Sequence, residues 1–202
     1  MPGPQLKYLL FFFCALLFTS LAQAAGYEPI KHKPVPVKGS EHVYYVQGLP
    51  GIASEQNEGY NSNAGFVVTN DGVIVIDALG TVPLGYEFIK AIRSVTDKPI
   101  KRVIVTHYHA DHVYGLQAFK EIGAEVWAHR AGLQYVEGEA QARLEQRRRD
   151  LFPWVNEQTR VVKADRWINS DEKFAFGGLH FELIYMGPAH APDDMVIVVR
   201  ED

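Results

Sequence analysis

The sequence predicts a mixed α/β domain, and three observations carry that reading. Short β-branched runs alternate with stretches of helical period through the middle of the chain. Strand pairs joined by tight turns frame this middle on both sides. The 202-residue length fits one domain, or at most two. With 47% hydrophobic and 12% aromatic residues there is material for a sizeable core. A net charge of -4 gives no support to a nucleic-acid surface.

Residues 1–24 read as a secretory leader. Lys7 precedes an apolar run, Tyr8 to Leu21, and Ala22-Gln23-Ala24 then supplies a small-x-small cleavage pattern. The competing reading is a membrane anchor, but the run is shorter than the roughly 20 residues that span a bilayer. The expected location is therefore periplasmic or secreted, with no membrane contact after cleavage. The one cysteine, Cys14, lies inside the leader, so no disulfide and no thiolate ligand is expected in the mature domain. Any metal must be held by His, Asp or Glu.

Residues 25–40, with Pro29, Pro34 and Pro36, read as an extended lead-in, and 41–202 as the domain. Val43 and Tyr45 alternate within a first strand, Glu41 to Gln47. Leu49 to Ser62 is a polar, Gly-containing loop. Ala64 to Thr69 and Val73 to Ile76 are strands joined by Asn70-Asp71-Gly72, residue types that tolerate positive φ. A helix is predicted from Leu84 to Val95, with Phe88, Ile89 and Ile92 on one face, and Pro99 ends it. A strand over 101–105 follows, then a helix from Val113 to Ile122 that stops at Gly123. Glu125 to Ala128 is a strand. Residues 131–151 read as one helix, with Leu133, Val136, Ala140 and Leu144 inward and Arg143 and Arg147 to Arg149 on a solvated face. Asp165 to Glu172 is a loop or edge strand. Lys173 to Phe176 and Leu179 to Tyr185 flank the turn Gly177-Gly178, and Met195 to Val199 is the last strand.

Between the strand at 101–105 and its helix stand His107, His109, Asp111 and His112, spaced H-x-H-x-D-H, in a chain with eight histidines. On an extended backbone, side chains at i and i+2 point the same way, so His107 and His109 are placed to meet one ion. Asp111 and His112, after a turn, are placed to face a second ion about 3.5 Å away, the spacing of two-metal sites. Such N and O donors suit zinc, and also Mn, Fe or Co. A catalytic zinc takes three protein ligands and keeps one position for water. His190, in a Gly-Pro-rich loop between two strands, is the candidate third ligand. His32, His42, His129 and His180 are weaker candidates. Asp77, ending a neighbouring strand, is read either as an acceptor that orients a ligand histidine or as a turn or cap residue. A zinc held this way brings the pKa of bound water to about 7, which points to hydrolysis of an ester, thioester, lactone or amide. Asp111 is the candidate catalytic group, orienting the nucleophile and passing a proton to the leaving group. No G-x-S-x-G elbow or phosphate-binding Gly-rich loop is present.

The run Val105 to His112 resembles the signature of the metallo-β-lactamase superfamily, and the resemblance extends to Asn63-Ala64-Gly65-Phe66, the strand ending in Asp77, and Gly187-Pro188-Ala189-His190. It implies an αββα sandwich with metals at the edge between its sheets. It also implies His107, His109 and His190 on the first zinc, with Asp111 and His112 starting the second site. Members include β-lactamases, glyoxalase II thioesterases, lactonases, sulfatases and nucleases. His112 sets the pattern apart from the commonest zinc β-lactamases, which carry arginine there and a later cysteine ligand. It resembles instead the all-His group and the wider hydrolases. The family pattern continues to a bridging Asp and a final His, whereas the sequence stops at Asp202. The expectation is that much of the second half of the fold is missing, with the second metal site incomplete, an unpaired sheet edge, and poor solubility and little turnover for the chain alone.

The expected function is an exported zinc-dependent hydrolase acting through a metal-activated water on an ester, thioester, lactone or β-lactam carbonyl of a small molecule, with one or two zinc ions. The alternative is a metal-binding but inactive or accessory homologue. An open frame continuing past codon 202 to an Asp and a late His favours the enzyme; a stop favours the alternative. Replacing His107 and His109 together by Ala is expected to remove most of the bound zinc. Unchanged zinc per chain, measured by elemental analysis, would remove the central claim.

Overall fold

A computed structural model describes residues 26–202, so the leader expected at 1–24 lies outside the described residues. The chain forms a seven-stranded mixed sheet in the order β1 to β7, packed against a three-stranded antiparallel sheet in the order β10, β9, β8. The strands are β1 (Val37–Lys38), β2 (Val43–Val46), β3 (Ala64–Val68), β4 (Val73–Ile76), β5 (Ile100–Ile104), β6 (Glu125–His129), β7 (Arg166–Ile168), β8 (Glu172–Phe176), β9 (Leu179–Tyr185) and β10 (Met195–Val199). β1 to β4 run antiparallel, and β4 to β7 run parallel. The helices are α1 (Val82–Val95), α2 (Ala110–Val113), α3 (Leu116–Glu121), α4 (Leu133–Glu137) and α5 (Ala140–Asp150), with a 3-10 turn at Arg130–Gly132 ahead of α4.

The large sheet is buried on both faces, which explains its near-continuous apolar strands. Phe66, Val73, Val75, Val103, Val126 and Ala128 face the helices. The residues between them, Val67, Ile74, Ile104 and Trp127, face the small sheet, where they meet Leu179, Phe181, Leu183 and Met195. Tyr44, Phe66, Phe88 and Phe119 form a chain of ring contacts with centroids 5.0, 6.1 and 6.0 Å apart, running from β2 through β3 and α1 to α3. Pairs of this kind add about 0.5–1.5 kcal/mol each beyond the area they bury. Between the sheets the Arg102 guanidinium lies 3.5 Å from the Trp127 ring centroid, and Trp127 meets Phe174 edge-on at 5.3 Å. Three layers, α/β/β, are thus formed by the described residues. A second helical layer over the small sheet is not among them. No described helix is long and apolar enough to cross a membrane.

The hairpin at Asn70-Asp71-Gly72 forms as expected, with β3 and β4 in register from Gly65↔Ile76 to Val68↔Val73. α1 starts earlier than its apolar period indicates, because the Thr81 hydroxyl accepts from the Leu84 N–H at 3.2 Å and caps it. Two expected helices are each split. The helix after the histidine cluster breaks at Tyr114-Gly115, where the Gly115 N–H turns to the Leu79 carbonyl. Gly115 there packs against Gly85 of α1, and a Cβ on Gly115 would overlap the Ala78 carbonyl oxygen. The 131–151 helix breaks at Gly138, which caps α4 through its own N–H. The arginine run also divides. Arg148 is not on a solvated face: its guanidinium binds Glu145 and the carbonyls of Asn156 and Thr159. The polar loop 49–62 is held by its side chains. Asn57 Oδ1 accepts from the Ser54 and Gly59 N–H groups, and the buried Glu58 carboxylate accepts from the Lys31 and His32 N–H groups of the lead-in.

Gly115→Ala is expected to destabilise the domain by about 1–3 kcal/mol through overpacking, roughly 2–10 °C in Tm for a chain of this size. Thermal unfolding followed by circular dichroism reads this directly, and an unchanged Tm would refute the close-approach account.

Candidate metal centre

The centre lies where β4 and β5 end and where the β9–β10 loop crosses them. β4 delivers Asp77 with φ 61°, a left-handed conformation that Asp adopts more readily than most side chains. Its N–H bonds the Ile104 carbonyl at 3.0 Å. The buried carboxylate then takes three hydrogen bonds at 2.8 Å each: Oδ1 from the Thr106 N–H, and Oδ2 from the Thr106 hydroxyl and from His112 Nδ1.

These bonds fix proton positions. A carboxylate only accepts, so Thr106 must donate its hydroxyl proton to Asp77. The Thr106 oxygen is then left to accept from His107 Nδ1, 3.0 Å away. That places the His107 proton on Nδ1 and leaves a lone pair on Nε2, which is buried and without a hydrogen-bond partner. His112 likewise donates from Nδ1 to Asp77 and turns Nε2 inward. Burial, reinforced by repulsion from His112, pushes the pKa of His107 down to about 4. Burial, with His190 as neighbour, also lowers that of His109. Burial works against protonation of His112 as well, but the bond to Asp77 and its charge outweigh this and raise its pKa.

His107 and His109 converge, though not on a fully extended backbone. The His109 N–H reaches the His107 carbonyl at 3.1 Å across a tight turn at Tyr108. Tyr108 is pinned on both sides: its N–H donates to Asp193 Oδ2 at 2.8 Å and its hydroxyl to the Val162 carbonyl at 3.0 Å. The His107 and His109 ring centroids are 4.7 Å apart. From the β9–β10 loop, His190 brings Nε2 to 3.0 Å from His109 Nδ1. Ligand atoms of His107, His109 and His190 all lie within 4.8 Å of one another. The loop is shaped by Asp194, whose Oδ2 accepts from the His190 and Ala191 N–H groups, and by the Met195 N–H bonding the Thr106 carbonyl at 2.9 Å.

Three imidazoles whose ligand nitrogens lie within 4.8 Å of one another, one of them a buried nitrogen with no other partner, fit a metal ion of the zinc type. Asp111 and His112 sit beside them as a pair, with His112 Nε2 3.9 Å from Asp111 Oδ2. They are not part of a three-donor group among the described residues. Asp111 is positioned by two residues that the sequence does not single out. Asn61 Nδ2 donates to its Oδ2 at 2.9 Å, and the Ser62 hydroxyl donates to its backbone carbonyl. Both sit in a polar loop some fifty positions upstream, and nothing in their local pattern marks them. Asp193 and Asp194 follow His190 closely, and a carboxylate four residues past a loop histidine is a usable signal for a turn. Among the weaker histidines, His180 pairs with Glu201 and His42 with Asp202, both away from the cluster. His129 stacks on Tyr185 with centroids 3.8 Å apart.

A sheet-edge centre of histidines and aspartates, built on loops from two packed sheets, defines a metal-binding α/β sandwich. The family model of the metallo-beta-lactamase superfamily matches residues 57–202, and the chain belongs to that superfamily. It is 27% identical over 150 residues to a type 2 metallo-beta-lactamase of Elizabethkingia meningoseptica, covering 71% of this chain and 49% of that one. It is 37% identical over 49 residues to a linear primary-alkylsulfatase of a Pseudomonas species, covering 24% of this chain and 9% of that one. The chain thus spans about half the length of the lactamase and a small part of the sulfatase. In structure it is similar to a metallo-beta-lactamase from Pontibacter korlensis, with TM-score 0.65 at 19% identity over 84% of this chain and 68% of that one. It is also similar to an inverting sec-alkylsulfatase from a Pseudomonas species, with TM-score 0.63 at 18% identity over 83% and 30%.

Asp77→Ala removes the acceptor that orients both His112 and, through Thr106, His107. Zinc affinity is expected to fall about 10- to 100-fold, read by competition with a chromophoric chelator. Unchanged affinity would show that Asp77 serves only the turn.

Proposed function

We propose that the protein is an exported zinc-dependent hydrolase, periplasmic or secreted, that cleaves an ester, thioester, lactone or β-lactam of a small molecule. The observation that carries this reading is the convergence of His107, His109 and His190 nitrogens beside an independently held carboxylate, Asp111. His107, His109 and His190 would hold the first ion, and Asp111 with His112 would begin the second site. A zinc bound there supplies Lewis acidity and makes water acidic enough to act near neutral pH.

The rest of the chemistry falls to the chain. Asn61 restrains one Asp111 oxygen, while Oδ1 makes no hydrogen bond among the described residues. Oδ1 therefore serves to align the attacking water and to carry a proton to the leaving group. Asp77 and Thr106 keep the His107 and His112 protons on Nδ1, away from the reacting side. The leader-like N-terminus supports export. That the relatives include a metallo-beta-lactamase and an alkylsulfatase supports a hydrolytic reading.

The test is hydrolysis by the zinc-loaded protein of a chromogenic cephalosporin, a thioester, a lactone and an alkyl sulfate. Turnover of at least one carbonyl substrate is expected, and Asp111→Asn should lower kcat about 10²- to 10⁴-fold. Zinc binding without turnover of any of the four would instead favour the accessory, non-catalytic reading.

A further inference from the structure

The metal centre opens into a cavity of about 350 Å³ between the ligand loop and α5. His109 and Asp111 form one wall; Tyr135, Arg143 and Arg147 form the other. Glu139, Arg143 and Arg147 are spaced four apart and so share one helix face. The acidic groups at this cavity are each engaged. Glu139 takes Arg143 Nε at 2.8 Å, Asp150 takes Gln146 Nε2 at 2.7 Å, and Asp111 takes Asn61 Nδ2 at 2.9 Å.

Arg147 is different. It is half-buried, and its guanidinium makes no hydrogen bond or ion pair among the described residues. Its neighbours in sequence do otherwise: Arg148 is spent on Glu145 and two loop carbonyls, and Arg149 reaches Gln146 Oε1 at 2.6 Å. A planar fork of five donors, partly withdrawn from water and facing a cavity that also holds metal ligands, is suited to bidentate capture of an oxyanion.

We propose that this cavity is an anion subsite, anchored by Arg147, which takes a carboxylate or sulfate that the substrate carries apart from the bond being cleaved. As a statement about substrate it rests on the hydrolase reading; as a statement about binding it does not. It assigns to the enzyme acidic acyl substrates over neutral ones of equal size.

The experiment titrates metal-free and zinc-loaded protein with glutarate, butyl sulfate and neutral glutaramide, following the Arg147 Nε–H resonance by NMR. Saturable shifts are expected with one or both anions in either metal state, and none with glutaramide; the ratio of the two affinities distinguishes a carboxylate from a sulfate site. Arg147→Gln should weaken anion binding about 10- to 100-fold, Arg147→Lys should weaken it less, and Arg149→Gln should leave it unchanged. Because the Arg147 guanidinium makes no hydrogen bond or ion pair among the described residues, the variants should keep the wild-type circular dichroism. Anion binding that survives Arg147→Gln, that never moves the Arg147 resonance, or that occurs on the metal alone overturns the proposal, as does no binding at all. In turnover, Arg147→Gln should raise KM for an acidic ester and leave both its kcat and the KM of the matching neutral ester alone. Arg147-dependent anion binding in a protein that hydrolyses nothing defeats the hydrolase reading and keeps the subsite. Turnover with equal KM changes for both esters does the reverse.

Discussion

The centre depends on a single carboxylate. Asp77 leaves its strand in a left-handed conformation and meets three donors, two from Thr106 and one from His112. Those bonds decide which nitrogen of His107 and of His112 carries a proton, and so which nitrogen of each has a lone pair to offer. An ion site made only of neutral imidazoles would otherwise be populated by mixed tautomers, most of them wrong for binding. The low pKa of His107 and the raised pKa of His112 arise in this same small region. One ring is held neutral by burial, and the other is drawn toward its cation by the carboxylate it touches.

That arrangement is durable because of what lies behind it. β4 and β5, which feed the centre from the large sheet, are packed on two faces, toward the helices and toward the small sheet. The loops themselves have little freedom. Tyr108 is tied at its N–H and its hydroxyl, Asp193 and Asp194 shape the His190 loop, and Asn61 and Ser62 hold Asp111 from a third direction. Burial raises the pKa of the Asp193 carboxyl, with the Tyr108 N–H acting against it. A half-withdrawn acid is thus a structural tie here, not a reacting group.

Much of this was legible in the sequence, for physical reasons. Short apolar runs located β3 to β6, because both faces of these strands are buried, each against a different core. Asn70-Asp71-Gly72 marked its hairpin, and the density of donors between His107 and His112 marked the centre. What failed was whatever depends on close approach in three dimensions. Nothing around Gly115 states that a carbonyl from Ala78 will occupy the place of its side chain, so the helix there reads as continuous. Asn61 has no local pattern that ties it to Asp111. The four arginines of α5 look alike in sequence, yet Arg148 is built into a loop, Arg149 is exposed, and Arg143 and Arg147 line a cavity.

The histidines of the centre come from different layers. His107 and His109 follow β5 of the large sheet, while His190 stands between β9 and β10 of the small one. At this edge the layers are otherwise joined by the Asp193–Tyr108 bond and by the Met195 N–H on the Thr106 carbonyl. An ion shared by the three rings is therefore also a rivet between two plates. Whatever tilts one sheet on the other would alter the coordination sphere, and a change in coordination would be felt as a torque across the whole sandwich.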